Sequence, residues 1–368
     1  MEPVRILHMI GSLNIGGSQT MIMNIYRNID REKIQFDFVL DEPDETYFAK
    51  EIEFLGGKIF VMPKLKNVNI REVRRAWAMF WKEHPEYRVL HSHVRSYASI
   101  YLPVARKYGI RTIIHSHSIS NGKGIQAIVK SVLQYPLRYC ADYFFSCSLE
   151  AGKWLYGKKI VNKREHIIMK NAIDTRKYLF NPEVRNRVRR ELNIEDKIAY
   201  IHVGRFHPAK NHMFLLEIFC EIYKRQRESI LILIGDGELK DQIIKKIEEL
   251  DIQENVLLLG NRDDVNELLQ GSDCFLFPSL WEGLGVAAIE AQAADLPCVL
   301  SEGIPRDVAL SDRCIFVSLD NKDAWIENAL NIEFSRNDTF QKIEKAGYDI
   351  LSTAEQLQKF YIEISQIS

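Results

Sequence analysis

The amino-acid sequence predicts an α/β protein built from two successive domains, each a doubly wound parallel sheet. Short apolar runs alternate with helix-length segments along nearly the whole chain, as expected when parallel strands are joined by crossover helices. This rhythm pauses near residue 180 and then restarts. At 368 residues the chain also exceeds the roughly 250 to 300 residues at which a single core stops growing.

Thirteen short apolar runs are predicted to be strands. The first seven are Val4–Met9, Phe36–Leu40, Lys58–Val61, Val89–His91, Thr112–His115, Tyr143–Ser146 and His166–Ile168. The other six are Ala199–Val203, Ile230–Ile234, Val256–Leu259, Cys274–Phe277, Cys298–Leu300 and Ile315–Val317. We therefore assign residues 1–180 to an N-terminal domain and 181–349 to a C-terminal domain, with a helix at about 350–368 packing back onto the first. Because open parallel sheets bind ligands beyond the carboxyl ends of their strands, two facing sheets are expected to form one cleft.

The net charge of −1 conceals an asymmetry between the two halves. Residues 1–180 carry 28 Lys and Arg against 17 Asp and Glu, and the rest of the chain carries 21 against 33. A basic first half is typical of attraction to an anionic membrane surface, a lipid phosphate or nucleic acid, or it forms a solvated charged face. Nucleic acid is disfavoured because no recognised binding motif accompanies the charge.

Targeting and redox signals point to the cytoplasm. The N-terminus lacks a basic region followed by a long apolar run, and no stretch approaches the ~20 apolar residues of a membrane span. The six cysteines contain no Cys-x-x-Cys pair, so reduced thiols are expected rather than a disulfide frame or zinc site.

The first strand-to-helix loop contains Gly16 and Gly17. Glycines before a helix allow a ligand to approach the backbone, and the free N–H groups of the helix attract an anion. The spacing is not Gly-x-Gly-x-x-Gly, and a tight turn explains the two glycines equally well.

Two histidine pairs follow predicted strands, His91 with His93 and His115 with His117. Buried imidazoles need polar partners, so four histidines at strand ends are poorly explained as core residues. Metal ligation, catalysis and hydrogen bonding to a substrate remain open, although no carboxylate-rich segment stands beside them to favour a metal.

The second domain begins with a strand that ends in Gly204, followed by Arg205 and Lys210. Two cations at the mouth of a cleft suit a diphosphate. Gly237, in the loop Gly235-Asp236-Gly237, and Arg262 follow the next two strands and are expected to contribute to the same nucleotide pocket.

A further strand-to-helix loop carries two carboxylates eight residues apart, Glu282 and Glu290. If the helix starts near Gly285, its first amides can hold a phosphate and Glu290 can accept both hydroxyls of a ribose. Eight helical residues span ~12 Å, so the pair is poorly spaced for a hydrolase acid and nucleophile.

At these residues the sequence resembles the retaining glycosyltransferases of family 4, whose GT-B fold consists of two facing Rossmann-like domains. The resemblance covers nearly the whole chain, and its most specific part is the Glu-x7-Glu signature from Glu282 to Glu290 within Pro-Ser-x-x-Glu-Gly-x-Gly. The chain departs from the commoner family pattern at Gln19, where glutamate is usual, and at Ala294 to Pro297.

The resemblance implies a role for each matching residue. Glu290 would bind the ribose, Arg205 and Lys210 the diphosphate, and Glu282 the donor sugar. His117 would lie near the sugar, with His115 as the alternative in this doublet. The remaining donor-side positions implied are Gly16, Gly17, Gly237, Leu284, Gly285, Val286 and Ala287, in addition to Arg262, which was inferred above from its place after a strand.

The implied reaction transfers a sugar from a nucleoside-diphosphate donor, with a UDP-sugar expected, to a saccharide or lipid-linked acceptor with retention of anomeric configuration. No metal or other cofactor is expected, because the cations replace the Asp-x-Asp site of the other large glycosyltransferase fold. The pathway implied is cell-surface polysaccharide synthesis. A non-catalytic nucleotide-sugar binding module, a GT-B epimerase and a phosphorylase are the alternatives.

Contact with the inner face of an anionic membrane is a further expectation for the N-terminal domain. The segment from Lys64 to Lys82 mixes six cations with three large aromatic residues, and an apolar run from Ile125 to Leu137 follows it. Interfacial aromatics and cations together could hold the protein on a bilayer, or the aromatics could pack into the core beneath a basic rim. The residues concerned are Lys64, Lys66, Arg71, Arg74, Arg75, Trp77, Phe80, Trp81, Lys82, Lys123, Lys130 and Arg138.

Overall fold

The computed structural model describes residues 2–14, 17–41, 47–66, 69–117, 125–333, 336 and 339–366, with the backbone alone at 125–128. Gly16 and Lys123, both named above, lie outside these ranges. The chain divides into two compact units. Unit 1 comprises Met1–Ala172 and Gly347–Ser368, and unit 2 comprises Ile173–Ala346. The chain passes from unit 1 to unit 2 after Ala172, slightly before the position near 180 expected from the sequence.

Unit 1 contains a seven-stranded sheet in which all neighbouring strands are parallel, in the order β3-β2-β1-β4-β5-β6-β7. The strands are β1 (Val4–Gly11), β2 (Ile34–Leu40), β3 (Ile59–Val61), β4 (Val89–Ser92), β5 (Arg111–Ser116), β6 (Tyr143–Ser146) and β7 (His166–Ile168). The connecting helices are α1 (Gly17–Asn28), α2 (Ala49–Phe54), α3 (Ile70–Glu83), α4 (Ala98–Lys107), α5 (Ile125–Gln134), α6 (Leu137–Cys140), α7 (Leu149–Tyr156) and α8 (Lys158–Val161).

Unit 2 contains a six-stranded parallel sheet in the order β10-β9-β8-β11-β12-β13. Its strands are β8 (Ile198–Val203), β9 (Ser229–Ile234), β10 (Val256–Gly260), β11 (Cys274–Phe277), β12 (Cys298–Ser301) and β13 (Cys314–Val317). Its helices are α9 (Pro182–Glu191), α10 (His212–Arg225), α11 (Lys240–Glu249), α12 (Val265–Gly271), α13 (Val286–Ala293), α14 (Lys322–Leu330) and α15 (Phe340–Lys345). The helix that follows them, α16 (Ile350–Gln366), belongs to unit 1.

Alternation of side chains along the strands of unit 1 builds one core on each face of the sheet. Ile6 belongs to the core formed with α1 and α16, whereas the next residue, Leu7, belongs to the core formed with α3 and α4. Because both faces are covered, the strands read as continuous apolar runs rather than as alternating ones. The prediction of an α/β fold with two parallel sheets is confirmed, and all thirteen predicted strands are present with their ends shifted by at most two residues.

Strand order reverses at one place in each sheet, between β1 and β4 in unit 1 and between β8 and β11 in unit 2. Crossover helices leave opposite faces of the sheet at such a point, so the loops that follow the two strands diverge and leave a crevice. In unit 2 these loops carry Arg205, Lys210 and Glu282. In unit 1, His93 lies in the loop after β4, and Gly17 begins the helix that follows the loop after β1.

The aromatic residues of α3 do not reach the surface. Trp77, Phe80 and Trp81 are 0%, 6% and 3% exposed and belong to the core beneath the helix. The expectation that they insert into a membrane is therefore wrong, and the alternative of core residues beneath a basic rim is confirmed. Among the residues that the structure describes, no helix is both long enough and apolar enough to cross a membrane.

Candidate functional site

In unit 2, the loops that follow β8 and β9 pack against each other at two glycines. A Cβ atom at Gly235 (φ +134°) would lie 2.2 Å from the carbonyl oxygen of Gly204, and one at Gly237 (φ +156°) would lie 2.6 Å from that of Phe206. The loops are also joined by a hydrogen bond from the Phe206 amide to the Asp236 carbonyl at 2.9 Å. A side chain at either glycine would push these loops apart, so the two glycines determine how closely the loops pack at the carboxyl edge of the sheet.

Lys210 lies directly over the end of β8. A short 3₁₀ helix, Pro208–Lys210, turns the chain back, so that a Cβ atom at Gly204 would lie 3.2 Å from the Lys210 side chain. The ammonium donates to Glu282 Oε1 at 2.5 Å and lies 4.7 Å from the ring centroid of Phe277. Both charged side chains are largely buried, at 20% and 13% exposure. A low local dielectric strengthens this pair, and it holds both groups in place.

The loop that carries Glu282 ends in helix α13, as the sequence predicted. Gly285 is the residue before the helix and adopts a left-handed conformation, with φ +82°. Non-glycine residues rarely adopt this conformation. Among the described residues no side chain caps this end, so the amides of Val286 and Ala287 keep the capacity to bind an anion. The adjacent Leu284 is buried.

Glu290, in the second turn of α13, is half-buried and accepts a hydrogen bond from the Tyr178 hydroxyl at 2.9 Å. Burial raises the pKa of the Glu290 carboxyl, and the hydrogen bond from Tyr178 opposes that rise. Burial and the adjacent carboxylate also raise the pKa of Tyr178, which therefore remains a hydrogen-bond donor. One carboxylate oxygen has this partner, and the second remains able to accept further hydrogen bonds.

The two arginines predicted for the site differ in their surroundings. Arg205 is exposed and forms no ion pair with any other described residue. Arg262 is also exposed, but its guanidinium donates to both carboxylate oxygens of Asp264, at 2.8 and 2.6 Å. Arg205 is thus free to meet an incoming anion, whereas Arg262 would have to leave its partner.

In unit 1, Gly17 is the first residue of α1, and a Cβ atom built on it would meet nothing within 4 Å. The backbone turn therefore does not require glycine at this position. Gln19 donates from its amide to the Ser12 carbonyl at 3.1 Å and tethers the start of the helix to the preceding loop.

Four predicted histidines and a fifth, His8, form one cluster at the carboxyl edge of this sheet. His91 and His115 are fully buried, His93 is 8% exposed and His117 is half-buried. Burial lowers the pKa of His117 to about 3, with a further contribution from Arg95, and lowers that of His115 well below its usual value. These imidazoles are neutral at physiological pH, so they act as hydrogen-bonding groups and not as cations.

Two residues of these sites were not predicted from the sequence. Tyr178 stands 112 positions before its partner Glu290, near the expected domain boundary, and no local pattern marks it. His8 lies in the middle of β1, where a polar residue within a buried run was an available signal.

The geometry of unit 2 combines the chemical groups that bind a nucleoside diphosphate. Two cations and free helix amides suit phosphate oxygens, and a carboxylate with an unused acceptor atom suits a diol. These groups lie in the loop after β8 and in α13, the helix after β11, where strand order reverses. The neutral histidines of unit 1 suit uncharged hydroxyl groups.

Comparison with known proteins identifies the family. The family model described as "Glycosyl transferases group 1" matches residues 184–332. The putative glycosyltransferase EpsF of Bacillus subtilis (strain 168) is 32% identical over 318 residues, which cover 83% of this chain and 80% of that protein. The chain belongs to the group 1 glycosyltransferases.

A further relative and a solved structure match over almost the full length. The UDP-Gal:α-D-GlcNAc-diphosphoundecaprenol α-1,3-galactosyltransferase of Escherichia coli is 22% identical over 386 residues, covering 98% of this chain and 97% of that protein. The structure of Anabaena HepE in complex with UDP aligns with a TM-score of 0.75 and 15% identity, covering 98% of this chain and 100% of that one. At this identity the likeness establishes the fold, and the GT-B assignment of this glycosyltransferase is confirmed.

Proposed function

We propose that this glycosyltransferase moves a sugar from a nucleoside diphosphate, with UDP as the nucleotide, to a hydroxyl of a saccharide or lipid-linked acceptor. The observation that carries the proposal is the arrangement of Lys210, Glu282 and the uncapped start of α13 at the carboxyl edge of unit 2. These groups provide positive charge for the diphosphate next to a carboxylate for sugar hydroxyls.

The diphosphate is bound by Arg205, Lys210 and the amides of Val286 and Ala287. Negative charge grows on the leaving diphosphate as the bond to the sugar breaks, so cations already in position stabilise the transition state more than the ground state. Lys210 is held by Glu282 before any ligand arrives, and little reorganisation is needed. We propose that these cations replace a divalent metal at the diphosphate and that the enzyme has no other cofactor.

The nucleoside and the sugar are bound on either side of the diphosphate. Glu290 accepts hydrogen bonds from the two ribose hydroxyls, with Tyr178 orienting its carboxylate. Glu282 contacts the donor sugar, aided by the backbone at Leu284 and Gly285. From the resemblance to family 4, we propose that His117 contacts the donor sugar and that Gly17 contacts the phosphates.

The reaction proceeds with retention of anomeric configuration. Departure and attack on the same face of the sugar require no protein nucleophile, and the leaving diphosphate takes the proton from the acceptor hydroxyl. A lipid-linked acceptor is supported by the E. coli relative, whose name specifies a diphosphoundecaprenol substrate. The proposed setting is the synthesis of cell-surface polysaccharide on the cytoplasmic side of the membrane.

Peripheral contact with an anionic membrane completes the proposal. Arg71, Arg74 and Arg75 lie exposed on one face of α3. Helix α5 exposes Val129 and Val132, at 52% and 66%, and packs, like α3, on α4. In this proposal the exposed valines, and not the buried tryptophans, provide the apolar contact with the bilayer.

The test combines binding and turnover. Purified enzyme is incubated with UDP-, GDP-, ADP- and CMP-sugars, with and without lipid-linked saccharide acceptor, in EDTA, and products are separated by mass. We expect acceptor-dependent transfer from a UDP-sugar in the presence of EDTA. Binding without turnover would indicate a binding module, acceptor-independent isomerisation of the sugar nucleotide an epimerase, and release of sugar phosphate a phosphorylase.

A further inference from the structure

Trp281 lies exposed to solvent next to the charged pair of unit 2. Its side chain is 58% exposed, whereas that of the next residue, Glu282, is 13% exposed and is held by Lys210. Among the described residues of unit 2, Trp281 is the most exposed large apolar side chain. No ring or cation of another described residue packs on the indole.

The backbone on both sides of Trp281 is fixed by the neighbouring loops. The Leu280 amide donates to the Ala209 carbonyl at 2.7 Å, and the Glu282 amide donates to the Gly303 carbonyl at 3.2 Å. The loop after β12 also packs closely here, because a Cβ atom at Gly303 would lie 2.2 Å from the Leu280 carbonyl oxygen. The indole is therefore held in place before any ligand binds, which lowers the entropy cost of binding.

Open space lies beside the indole. A Cβ atom built on Gly283 would meet nothing within 4 Å. Single exposed apolar side chains are common on protein surfaces, but tryptophan is usually highly buried. This one is carried by a fixed loop that also carries a carboxylate of the candidate site. An aromatic side chain in such a position is typical of a contact with a ligand.

The position of the indole favours a sugar over the nucleobase as its ligand. Under the proposed function, the ribose lies at Glu290 in the second turn of α13, and the diphosphate lies at the amides of Val286 and Ala287 that begin the helix. Trp281 precedes this helix and adjoins Glu282, which is assigned to the donor sugar. The order of these residues thus places the indole at the sugar end of the donor.

The exposure of the indole favours the acceptor over the donor sugar. The donor sugar is bonded to the diphosphate, which is bound beside the largely buried pair of Lys210 and Glu282. A side chain that is more than half exposed remains accessible to solvent once the donor is in place. The acceptor arrives from solvent, and its hydroxyl has to reach the same donor sugar.

A pyranose ring has the chemistry to stack on an indole. Rings such as those of glucose and galactose align several C–H groups on one face. These hydrogens carry a small positive charge and the face of the indole is negative, so the two surfaces attract each other. Stacking also removes apolar surface of both partners from water. Because the indole is neutral, the contact selects a ring with an open C–H face and not a charged group.

We propose that Trp281 is a specificity-determining residue of the acceptor site, on which a pyranose ring of the acceptor stacks while its hydroxyl reaches the donor sugar beside Glu282. This assignment rests on the function proposed above. The acceptor class that follows is a saccharide, free or lipid-linked, and not a lipid phosphate without a sugar.

Tryptophan fluorescence tests this contact without turnover. The chain contains five tryptophans, of which three are buried, Trp77, Trp81 and Trp325. Trp154, in unit 1, is 37% exposed. In a full-length Trp154→Phe protein, collisional quenching by acrylamide therefore reports mainly on Trp281.

This protein is first saturated with UDP. Methyl β-D-glucoside, methyl β-D-galactoside and methyl N-acetyl-β-D-glucosaminide are then added in turn, with glycerol as a polyol that has no ring. We expect at least one of the glycosides to protect Trp281 from acrylamide and glycerol to have no effect. Protection by UDP alone would indicate stacking on the base, and protection by none of the glycosides would exclude the saccharide contact. Either result overturns the proposal.

Acceptor kinetics give a second readout. Trp281→Ala should raise the KM for the saccharide acceptor about tenfold, as for loss of one aromatic stacking contact, and should change UDP affinity by less than about twofold. Trp281→Tyr keeps an aromatic ring and should recover part of the loss. The matched control is Leu280→Ala, which shortens the neighbouring exposed side chain and should leave this KM unchanged.

The two experiments distinguish this assignment from the proposed function. If a glycoside protects Trp281 but no sugar nucleotide is turned over, the proposed function fails and the saccharide contact stands. If sugar transfer occurs but a Trp281→Ala protein, folded by circular dichroism, keeps the native acceptor KM, the proposed function stands and the assignment of Trp281 is wrong.

Discussion

At the scale of single residues, the proposed ribose contact requires Glu290 to be ionised in a half-buried position. Burial raises the pKa of its carboxyl, while the Tyr178 hydroxyl stabilises the carboxylate. A charged acceptor of this kind binds a diol more strongly than a neutral one, because charge-assisted hydrogen bonds are about twice as strong. Under the proposed function, nucleotide binding therefore depends on two residues that are distant in sequence.

The first prediction concerns Glu290→Ala. It removes both proposed ribose contacts, and we expect UDP binding measured by calorimetry to weaken by about 2 kcal/mol or more. The matched control is Glu302→Ala, an exposed carboxylate on the loop after β12, which should leave the affinity unchanged. Unaltered UDP affinity in a folded Glu290→Ala protein would remove this residue from the site.

The second prediction concerns pH. The hydrogen bond from Tyr178 lowers the pKa of Glu290, so Tyr178→Phe should raise that pKa further. Since the ionised form binds the ribose, UDP affinity should decline as pH falls through this pKa, and the decline should begin at a higher pH in Tyr178→Phe than in the native protein. Glu290→Gln should lack this pH dependence. Identical pH profiles for the native and Tyr178→Phe proteins would contradict the pairing.

The third prediction separates turnover from affinity. Arg205→Ala should lower kcat about a hundredfold, as for loss of one donor to a developing anion, and should weaken UDP binding much less. Arg205 is the better test than Lys210, because removing Lys210 leaves Glu282 largely buried without its partner. Equal losses in kcat and donor affinity would mean that Arg205 serves ground-state binding only.

Candidate site residues could be predicted from the sequence where they lie close together in the chain. Glu282, Gly285 and Glu290 were identified because their spacing alone places them on one loop and one helix. Tyr178 and His8 were missed because their roles depend on partners in other elements. In a parallel sheet such partners meet only after the order of strands is settled.

At the scale of secondary-structure elements, α3 shows how a mixed segment is divided between core and surface. The helical period places Val73, Trp77 and Trp81 on one face and turns Arg71 and Arg75 away from it, with Arg74 exposed at the border. The aromatic residues lie on the buried face, and the arginines lie exposed to solvent. The helical period of the sequence predicts this separation of apolar and basic residues, whereas the composition of the segment alone does not.

The fourth prediction tests the basic face of α3. Charge reversal of Arg71, Arg74 and Arg75 to Glu should abolish cosedimentation with anionic liposomes, since each cation near such a surface contributes about 1 kcal/mol. Reversal of Lys158, Lys159 and Lys163, which are exposed elsewhere in unit 1, gives the same change in net charge and should have a smaller effect. Equal binding to neutral and anionic liposomes would rule out the electrostatic contact.

At the scale of the whole molecule, buried histidines make stability depend on pH. The pKa values of His8 and His117 are lowered by burial to about 3, and those of His91, His93 and His115 lie well below the usual value of 6.5. Above pH 6.5 both folded and unfolded states are neutral at these groups. Below it, the unfolded state takes up protons that the folded state cannot, so stability falls as pH falls.

The fifth prediction follows from this loss of stability at low pH. Each of these five histidines destabilises unit 1 by up to ~1.4 kcal/mol per pH unit below 6.5, against a total stability of ~5–15 kcal/mol. We expect cooperative acid unfolding of unit 1 between about pH 6 and 5 by circular dichroism. His115→Phe removes one of these titrating groups and should move the midpoint of acid unfolding to lower pH. A native signal that persists unchanged at pH 4 would contradict the burial of the cluster.

The sequence by itself determined the α/β class, the thirteen strands and the glycine- and glutamate-containing loops, because these depend on alternation, length and spacing within short segments. It also determined the family resemblance. Only the tertiary structure decided which groups meet: Tyr178 with Glu290, 112 residues apart, and His8 with His93, 85 residues apart. The physical reason is that the packing of parallel strands and their crossover helices brings together residues from separate parts of the chain. Burial then determines whether these residues are charged. A local stretch of sequence shows neither the neighbours of a residue nor its exposure to solvent.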